Sequence, residues 1–162
     1  MTNRAYSVDG RTFAYEAELT AAVPVGTYVR ITDGTSRSYL GQVLTVDVDR
    51  AGRSVSGSGS VLCEVTSEGF SAPGGNPISA GAELRPADPD LLAAYLRSAV
   101  DPSAGIQIGR VQNRPTVPAL LRAQGFGRHT FLCGQSGSGK TYTLGVVLEQ
   151  LLLETDVRIV VL

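Results

Sequence analysis

The first 87 residues alternate between apolar and polar positions in short runs, which is the period of half-buried β-strands. Turn signals such as Asp33-Gly34 separate the runs. The runs cover residues 27–32, 39–48, 53–65 and 78–84. Short strands at this spacing are typical of a small antiparallel barrel or sandwich, and we predict a β-barrel over residues 1–87.

One of these runs contains a stretch made only of serine and glycine, residues 56–60. Such a stretch is compatible with a flexible linker. Strand-forming residues follow it at once, from Val61 to Val65, so a barrel strand kinked at its glycines is the favoured interpretation.

The hydrophobic period changes at Asp88. This residue is a good N-cap, and Pro89 suits the first position of a helix. Apolar residues then recur at helical spacing until Asp101-Pro102, which we expect to end the helix. A strand-like Ile106-Gln107-Ile108 follows, and residues 110–127, with two prolines, are typical of a connector. Residues 88–127 are therefore predicted to be a helix and a connector.

Residues 128–162 have the pattern of an α/β unit. An apolar run at 129–133 predicts a buried strand, and 157–162 is a continuous apolar run of the parallel-sheet kind. Between them, residues 141–154 predict a helix that is apolar on nearly every side, which indicates burial inside a larger body. We expect the opening βαβ unit of a domain that is cut short at Leu162.

Composition and charge narrow the class of protein. The 162 residues carry 14 basic and 15 acidic side chains, so a generic polyanion-binding surface is not expected. The two cysteines give neither a disulfide framework nor a metal spacing. No secretory signal and no run of 18 apolar residues occurs, so we expect a cytoplasmic protein without a membrane partner.

The segment GQSGSGKT, residues 134–141, carries the clearest chemistry. It satisfies the phosphate-loop pattern through Gly134, Gly139, Lys140 and Thr141. Glycines let consecutive backbone N–H groups converge on phosphate oxygens at a helix N-terminus. The Lys140 ammonium can reach the β- and γ-phosphates, and the Thr141 hydroxyl can coordinate Mg²⁺.

The predicted site assigns Lys140 as the catalytic residue and Thr141 as the metal ligand. Lys140 is the only lysine of the chain. Tyr142 is included because it could approach the nucleotide, although packing within the helix is the alternative. The predicted binding residues are Gly134, Ser136, Gly137, Ser138, Gly139, Lys140, Thr141 and Tyr142. Weaker candidates for a role in chemistry or phosphate contact are Arg122, Arg128, His129 and Cys133.

Together, three segments resemble the HerA-type ATPases of the FtsK–HerA superfamily. They are VPVGTYVRI…YLGQVLTV in the predicted barrel, IQIGRV in the connector, and GRHTFLCGQSGSGKTYTLGVVLEQLLL…VRIVVL. The last is the most specific. The resemblance implies a β-barrel like that of rotary ATP-synthase subunits, followed at residues 128–162 by the start of a RecA-like P-loop domain.

The resemblance also implies a function for the full-length protein: a homo-hexameric ring, dependent on ATP and Mg²⁺, that moves double-stranded DNA and works beside a partner nuclease in DNA processing or phage defence. We expect the DNA to be contacted through regions that are not present in this chain. The barrel would serve assembly and docking. The family commonly has Thr where Ser136 stands and Ser at Thr141, and both changes keep a hydroxyl. A Walker B acid and an arginine finger cannot be assigned here, so we expect the parent protein, rather than this chain alone, to hydrolyse ATP.

Two other classes of protein remain open. The first is a non-enzymatic assembly module, whose barrel docks a partner and whose P-loop is vestigial. The second is a P-loop kinase or GTPase with an unrelated β-domain.

Overall fold

The computed structural model describes residues 3–49, 51–100 and 105–160. The chain divides into two compact units, Met1–Asp88 and Pro89–Leu162. The helix stop predicted at Asp101-Pro102 lies outside the described residues, and so does the end of the last predicted strand at Val161-Leu162.

The first unit is a β-barrel, as predicted. It contains a short 3₁₀ helix, Leu19–Ala21, and seven strands. The strands are β1 (Asn3–Ser7), β2 (Thr12–Glu18), β3 (Tyr28–Thr32), β4 (Ser38–Val48), β5 (Ser54–Thr66), β6 (Gly69–Ser71) and β7 (Ile78–Pro86).

Six of the strands form a closed antiparallel sheet in the order β2-β1-β7-β3-β4-β5. The barrel closes where β2 pairs with β5, from Thr12 opposite Ser60 to Glu18 opposite Ser54. The short β6 extends the far end of β5. Closure gives each of the six strands a hydrogen-bonded neighbour on both sides, which removes the exposed edges of an open sheet.

The serine and glycine stretch lies inside β5, so the strand interpretation is confirmed. Its residues alternate across the sheet: Gly57 and Gly59 are buried, and the serines point outward. A Cβ at Gly57 would lie 2.4 Å from the Tyr15 ring, and one at Gly59 would lie 2.4 Å from the Phe13 ring. The missing side chains therefore make room for the two aromatic rings that fill the barrel.

The barrel core consists of the inward residues of all six closed strands, including Phe13, Tyr15, Ile31 and Leu84, none more than 2% exposed. The Tyr15 hydroxyl donates a hydrogen bond to the Val23 carbonyl at 2.9 Å, so its polar atom is satisfied inside the core.

In its described residues, the second unit has two α-helices, a 3₁₀ helix and one hairpin. Its elements are α1 (Pro89–Ala99), β8 (Gly105–Val111), β9 (Arg114–Arg122), a 3₁₀ helix (Ala123–Gly127) and α2 (Lys140–Glu154). The helix start at Pro89 agrees with the prediction. The connector expected at 110–127 is wrong, because half of it is the strand β9, which pairs antiparallel with β8. Pro115 and Pro118 hid this strand, since proline is tolerated only at strand edges, and a two-stranded ribbon is all edge.

The predicted strands around α2 are also wrong within the described residues. Residues 128–139 and 155–160 contain no strand, and the βαβ unit is reduced to its helix. Phe131 is 95% exposed and Val160 is 80% exposed. A strand forms only against a hydrogen-bonded neighbour, and neither segment pairs with another among the described residues.

The second unit packs its helices on the hairpin. Ile106 of β8 lies in a buried cluster with Ala123, Val147 and Leu151, and Phe126 and Ile159 pack against its border. This cluster holds α2, and hence the loop before it, against β8. In the described ranges, no helix has the length and apolar character needed to cross a membrane.

Candidate phosphate-binding loop

The predicted phosphate loop forms an irregular turn that leads directly into α2. Residues 131–135 have no regular structure, residues 136–139 turn, and the helix begins at Lys140. The Thr143 N–H donates to the Gly139 carbonyl at 2.9 Å, which closes the first helical turn. The N–H groups of that turn have no partner within the helix, so they are available to an anion at this end.

Two glycines give the loop its path. Gly137 has φ +78° and Gly139 has φ +82°. Both values lie in the left-handed region that costs other residues about 1 kcal/mol or more. Gly139 is the residue before the helix, so the chain reverses there and enters α2 with its N–H groups facing the loop.

Gly134 is needed for another reason, which is close approach. A Cβ at this position would lie 2.8 Å from Ser138 Oγ and 3.3 Å from Lys140 Cγ. The loop therefore folds its first residue beneath the serine hydroxyl and the lysine stem. The three glycines are thus needed for different physical reasons. Gly137 and Gly139 allow a left-handed backbone conformation, and Gly134 leaves room for the side chains of Ser138 and Lys140.

The Lys140 side chain folds back over the loop instead of extending into solvent. Its Nζ donates a hydrogen bond to the Gln135 carbonyl at 2.6 Å. The Ser138 N–H donates to the same carbonyl at 3.2 Å. Gln135 is not among the predicted site residues, because its contribution comes from a backbone oxygen, which does not depend on the type of side chain.

The remaining predicted residues lie on the exposed side of the same segment. Ser136, Ser138, Thr141 and Tyr142 are all exposed. Tyr142 is 79% exposed, so the packing role considered as its alternative is not formed in the described structure. The structure thus brings Gly134, Ser138 and Lys140 into contact through the loop and leaves the Thr141 hydroxyl open to solvent.

The weaker candidates separate into two groups. Arg122 has a structural partner, because its Nε donates to the Ala99 carbonyl at 2.7 Å and its Nη2 donates to the same oxygen. It therefore caps the C-terminal end of α1. Arg128, His129 and Cys133 are exposed in the irregular segment before the loop.

The charges around the loop suit a phosphate group. No acidic residue lies in the first turn of α2. The helix dipole adds a partial positive charge at the same end, and the Lys140 ammonium adds a full one. The loop offers glycine N–H groups and the Lys140 ammonium as donors, and this set fits the phosphates of a nucleoside triphosphate. The Thr141 hydroxyl is a suitable oxygen ligand for the Mg²⁺ that accompanies it.

The described residues also bear on whether the protein could hold a metal ion without a nucleotide. Among the described residues, no group of three or more His, Cys, Asp or Glu side chains could hold a metal ion. Mg²⁺ usually keeps several waters and binds through one or two protein ligands together with the phosphates. The residues present therefore fit a metal that arrives with a nucleotide.

A family model matches part of the chain. Residues 106–162 match the family described as "Helicase HerA, central domain", a region that starts in β8 and includes the whole phosphate loop. No curated protein matches the chain. The match covers about a third of the sequence, and it supports a HerA-type family for this chain.

Proposed function

We propose that the chain supplies the ATP-binding loop and the barrel of a HerA-like ATPase that translocates double-stranded DNA. The observation that carries the proposal is the phosphate loop, with Lys140 held over Gln135, inside the region that matches the HerA central domain. The family match favours this function over that of a kinase or GTPase. The formed phosphate loop favours it over an assembly module with a vestigial P-loop.

In this proposal the loop binds the triphosphate of ATP. The exposed N–H groups before and within the first turn of α2 surround the phosphate oxygens. Lys140 would leave the Gln135 carbonyl and pair with the β- and γ-phosphates, and the Thr141 hydroxyl would be a ligand of Mg²⁺. A bound Mg²⁺ would supply charge neutralisation on the phosphates, and the residues for hydrolysis beyond Lys140 would come from other parts of the assembled protein.

The assembly in this proposal is a homo-hexameric ring with DNA in its centre. A partner nuclease would use the DNA that the ring delivers. The closed six-stranded barrel would serve as a rigid platform for assembly and for this partner.

Nucleotide binding is the direct test. Titration calorimetry with Mg²⁺ and ATP compares the native protein with Lys140→Ala. A hydrogen bond to a charged group is worth about 1.5–3 kcal/mol, so we expect affinity to fall by roughly 10- to 150-fold. Arg97→Ala is the matched control, because it removes one cation from α1 in the same unit.

The outcomes are distinct. Loss of affinity only in Lys140→Ala supports the proposal. Equal affinity in the native protein and both variants would show that the loop does not hold the phosphates. No binding by the native protein would favour the assembly module with a vestigial loop.

A further inference from the structure

The most exposed aromatic rings of the protein lie beside the phosphate loop. The chain has six tyrosines and four phenylalanines, and seven of these residues are buried or half-buried. The two with the largest exposed fractions are Phe131, at 95%, and Tyr142, at 79%. Phe131 lies three residues before Gly134, and Tyr142 directly follows Thr141. Exposed aromatic surface is thus concentrated at the two ends of the loop.

Of these two rings, only that of Tyr142 is carried by a helix or strand. Tyr142 is the third residue of α2, whose Val147 and Leu151 lie in the buried cluster with Ile106 of β8. Successive residues of an α-helix are rotated by about 100°, which places Tyr142 roughly 140–180° around the helix from Val147 and Leu151. The contact that holds α2 on β8 therefore leaves the Tyr142 ring open.

The geometry of a helix also directs this side chain toward the loop. Each Cα–Cβ bond is tilted toward the helix N-terminus, so a long side chain covers the turn before its own Cα. For Tyr142 that turn is the end of the phosphate loop, since α2 begins at Lys140. The Tyr142 Cα lies only about 3 Å along the helix axis from the Lys140 Cα. An open aromatic ring therefore borders the end of α2 that suits a phosphate group.

We propose that Tyr142 stacks on the base of the nucleotide whose phosphates the loop binds. The inference rests on the proposed function, and it adds recognition of a part of the ligand that glycine N–H groups and an ammonium do not read. An exposed ring offers the flat face of a nucleobase an apolar partner. Every base has such a face, so this contact separates a nucleotide from bare triphosphate without choosing among the bases.

Calorimetry with two ligands separates the base contact from the phosphate contact. The ligands are ATP and tripolyphosphate, each with Mg²⁺, and tripolyphosphate has no base. We expect Tyr142→Ala to lower the affinity for ATP by about 5- to 150-fold, the range found when a ring stacked on a base is removed. The same variant should bind tripolyphosphate as the native protein does, because the loop and Lys140 are unchanged.

Two further variants test the ring itself. Tyr142→Phe keeps the ring without its hydroxyl and should retain most of the native affinity for ATP. Leu153→Ala is the matched control, because it removes a side chain that is 68% exposed from the opposite end of α2. It should leave both affinities at their native values. Alanine is the best helix former, so both alanine variants should keep α2 folded, which circular dichroism measures.

Each outcome decides the proposal. Native affinity for ATP in Tyr142→Ala would overturn it. An equal loss for ATP and tripolyphosphate would also overturn it, because the ring would then shape the loop instead of contacting a base. A loss of ATP affinity in Tyr142→Phe or Leu153→Ala as large as in Tyr142→Ala would have the same consequence.

Lys140→Ala distinguishes failure of this proposal from failure of the proposed function. Native affinity for tripolyphosphate in Lys140→Ala would show that the loop does not hold the phosphates. If that affinity falls while Tyr142→Ala binds ATP as the native protein does, the phosphate loop stands and only the base contact is wrong.

Discussion

The barrel and the second unit bury their apolar side chains to different extents. In the barrel, Ile31 and Val43 are fully buried, and Tyr15 is 1% exposed. In α2, Val147 and Leu151 are buried, whereas Leu153 of the same helix is 68% exposed. Both regions have strongly apolar sequences. The difference shows that an apolar pattern specifies burial only where the chain supplies a surface to cover it.

The same comparison explains which strands form. Every strand of the closed barrel has two neighbours, and the closing β2–β5 pair completes the set. The apolar runs at 129–133 and 157–160 have the composition of strands but pair with no described segment. Backbone hydrogen bonds to a neighbour, more than side-chain pattern, decide between strand and irregular chain.

The largest effect is expected where the barrel has no spare volume. In Gly59→Val, the Cβ would lie 2.1 Å from the Gln42 carbonyl oxygen and 2.4 Å from the Phe13 ring. We expect the free energy of unfolding to fall by about 3 kcal/mol, measured by urea denaturation. Gly34→Ala is the control, because a Cβ there meets nothing within 4 Å. Equal stability of the two variants would contradict the tight packing of β5.

A smaller loss of stability is expected in α2, where two adjacent leucines differ in burial. Leu151 is 4% exposed and Leu152 is 61% exposed. Leu151→Ala should lower the free energy of unfolding of the second unit by about 2–3 kcal/mol, and Leu152→Ala by less than about 0.5 kcal/mol. Thermal denaturation of both variants measures this. A cost at Leu152 as large as at Leu151 would mean that the open side of α2 is covered in solution.

The smallest expected effect is the pH dependence of the barrel. Backbone N–H groups of Thr12 and Arg11 lower the pKa of Asp9 from 3.8 to about 2. Backbone hydrogen bonds from Arg53 and Ser54 lower the pKa of Asp49. A lowered folded-state pKa contributes stability that is present above the unfolded value and is lost as the pH falls through the folded value. These two carboxylates should therefore stabilise the barrel above about pH 4 and lose that contribution toward pH 2.

Acid titration followed by circular dichroism measures this loss. Asp9→Asn should flatten the decline between pH 4 and 2, because the amide does not titrate. Asp47→Asn, on the exposed surface of β4, is the control and should leave the decline as it is in the native protein. The same steepness in all three proteins would remove Asp9 from the explanation.

Local patterns in the sequence predicted much of the barrel but not its closure. Strands β3, β4, β5 and β7 follow from alternation. The hairpin of β1 and β2 was missed although Asp9-Gly10 and the alternating Phe13 and Tyr15 signal it. The pairing of β2 with β5 joins residues about forty positions apart, which no local pattern encodes. The register shift between Val43 and Thr45 in the β4–β5 pairing is likewise not encoded by the alternation of the sequence.

For the candidate site, the sequence predicted the residues but not their contacts. The motif located Gly134, Gly139 and Lys140 because phosphate chemistry requires those residue types at that spacing. It could not show that Lys140 rests on the Gln135 carbonyl, since a backbone oxygen leaves no mark in the sequence.

The position of the only lysine has a practical consequence for handling the protein. Lys140 is the only side-chain amine in this sequence. Reagents that modify amines, such as crosslinkers, biotin esters and surface-coupling reagents, can therefore react with no other side chain. Attachment there would occupy the proposed phosphate site and remove the ammonium from the Gln135 carbonyl. A terminal tag is therefore the suitable route to immobilised or labelled protein. Thiol chemistry at the exposed Cys133 would place the label directly before Gly134, next to the same loop.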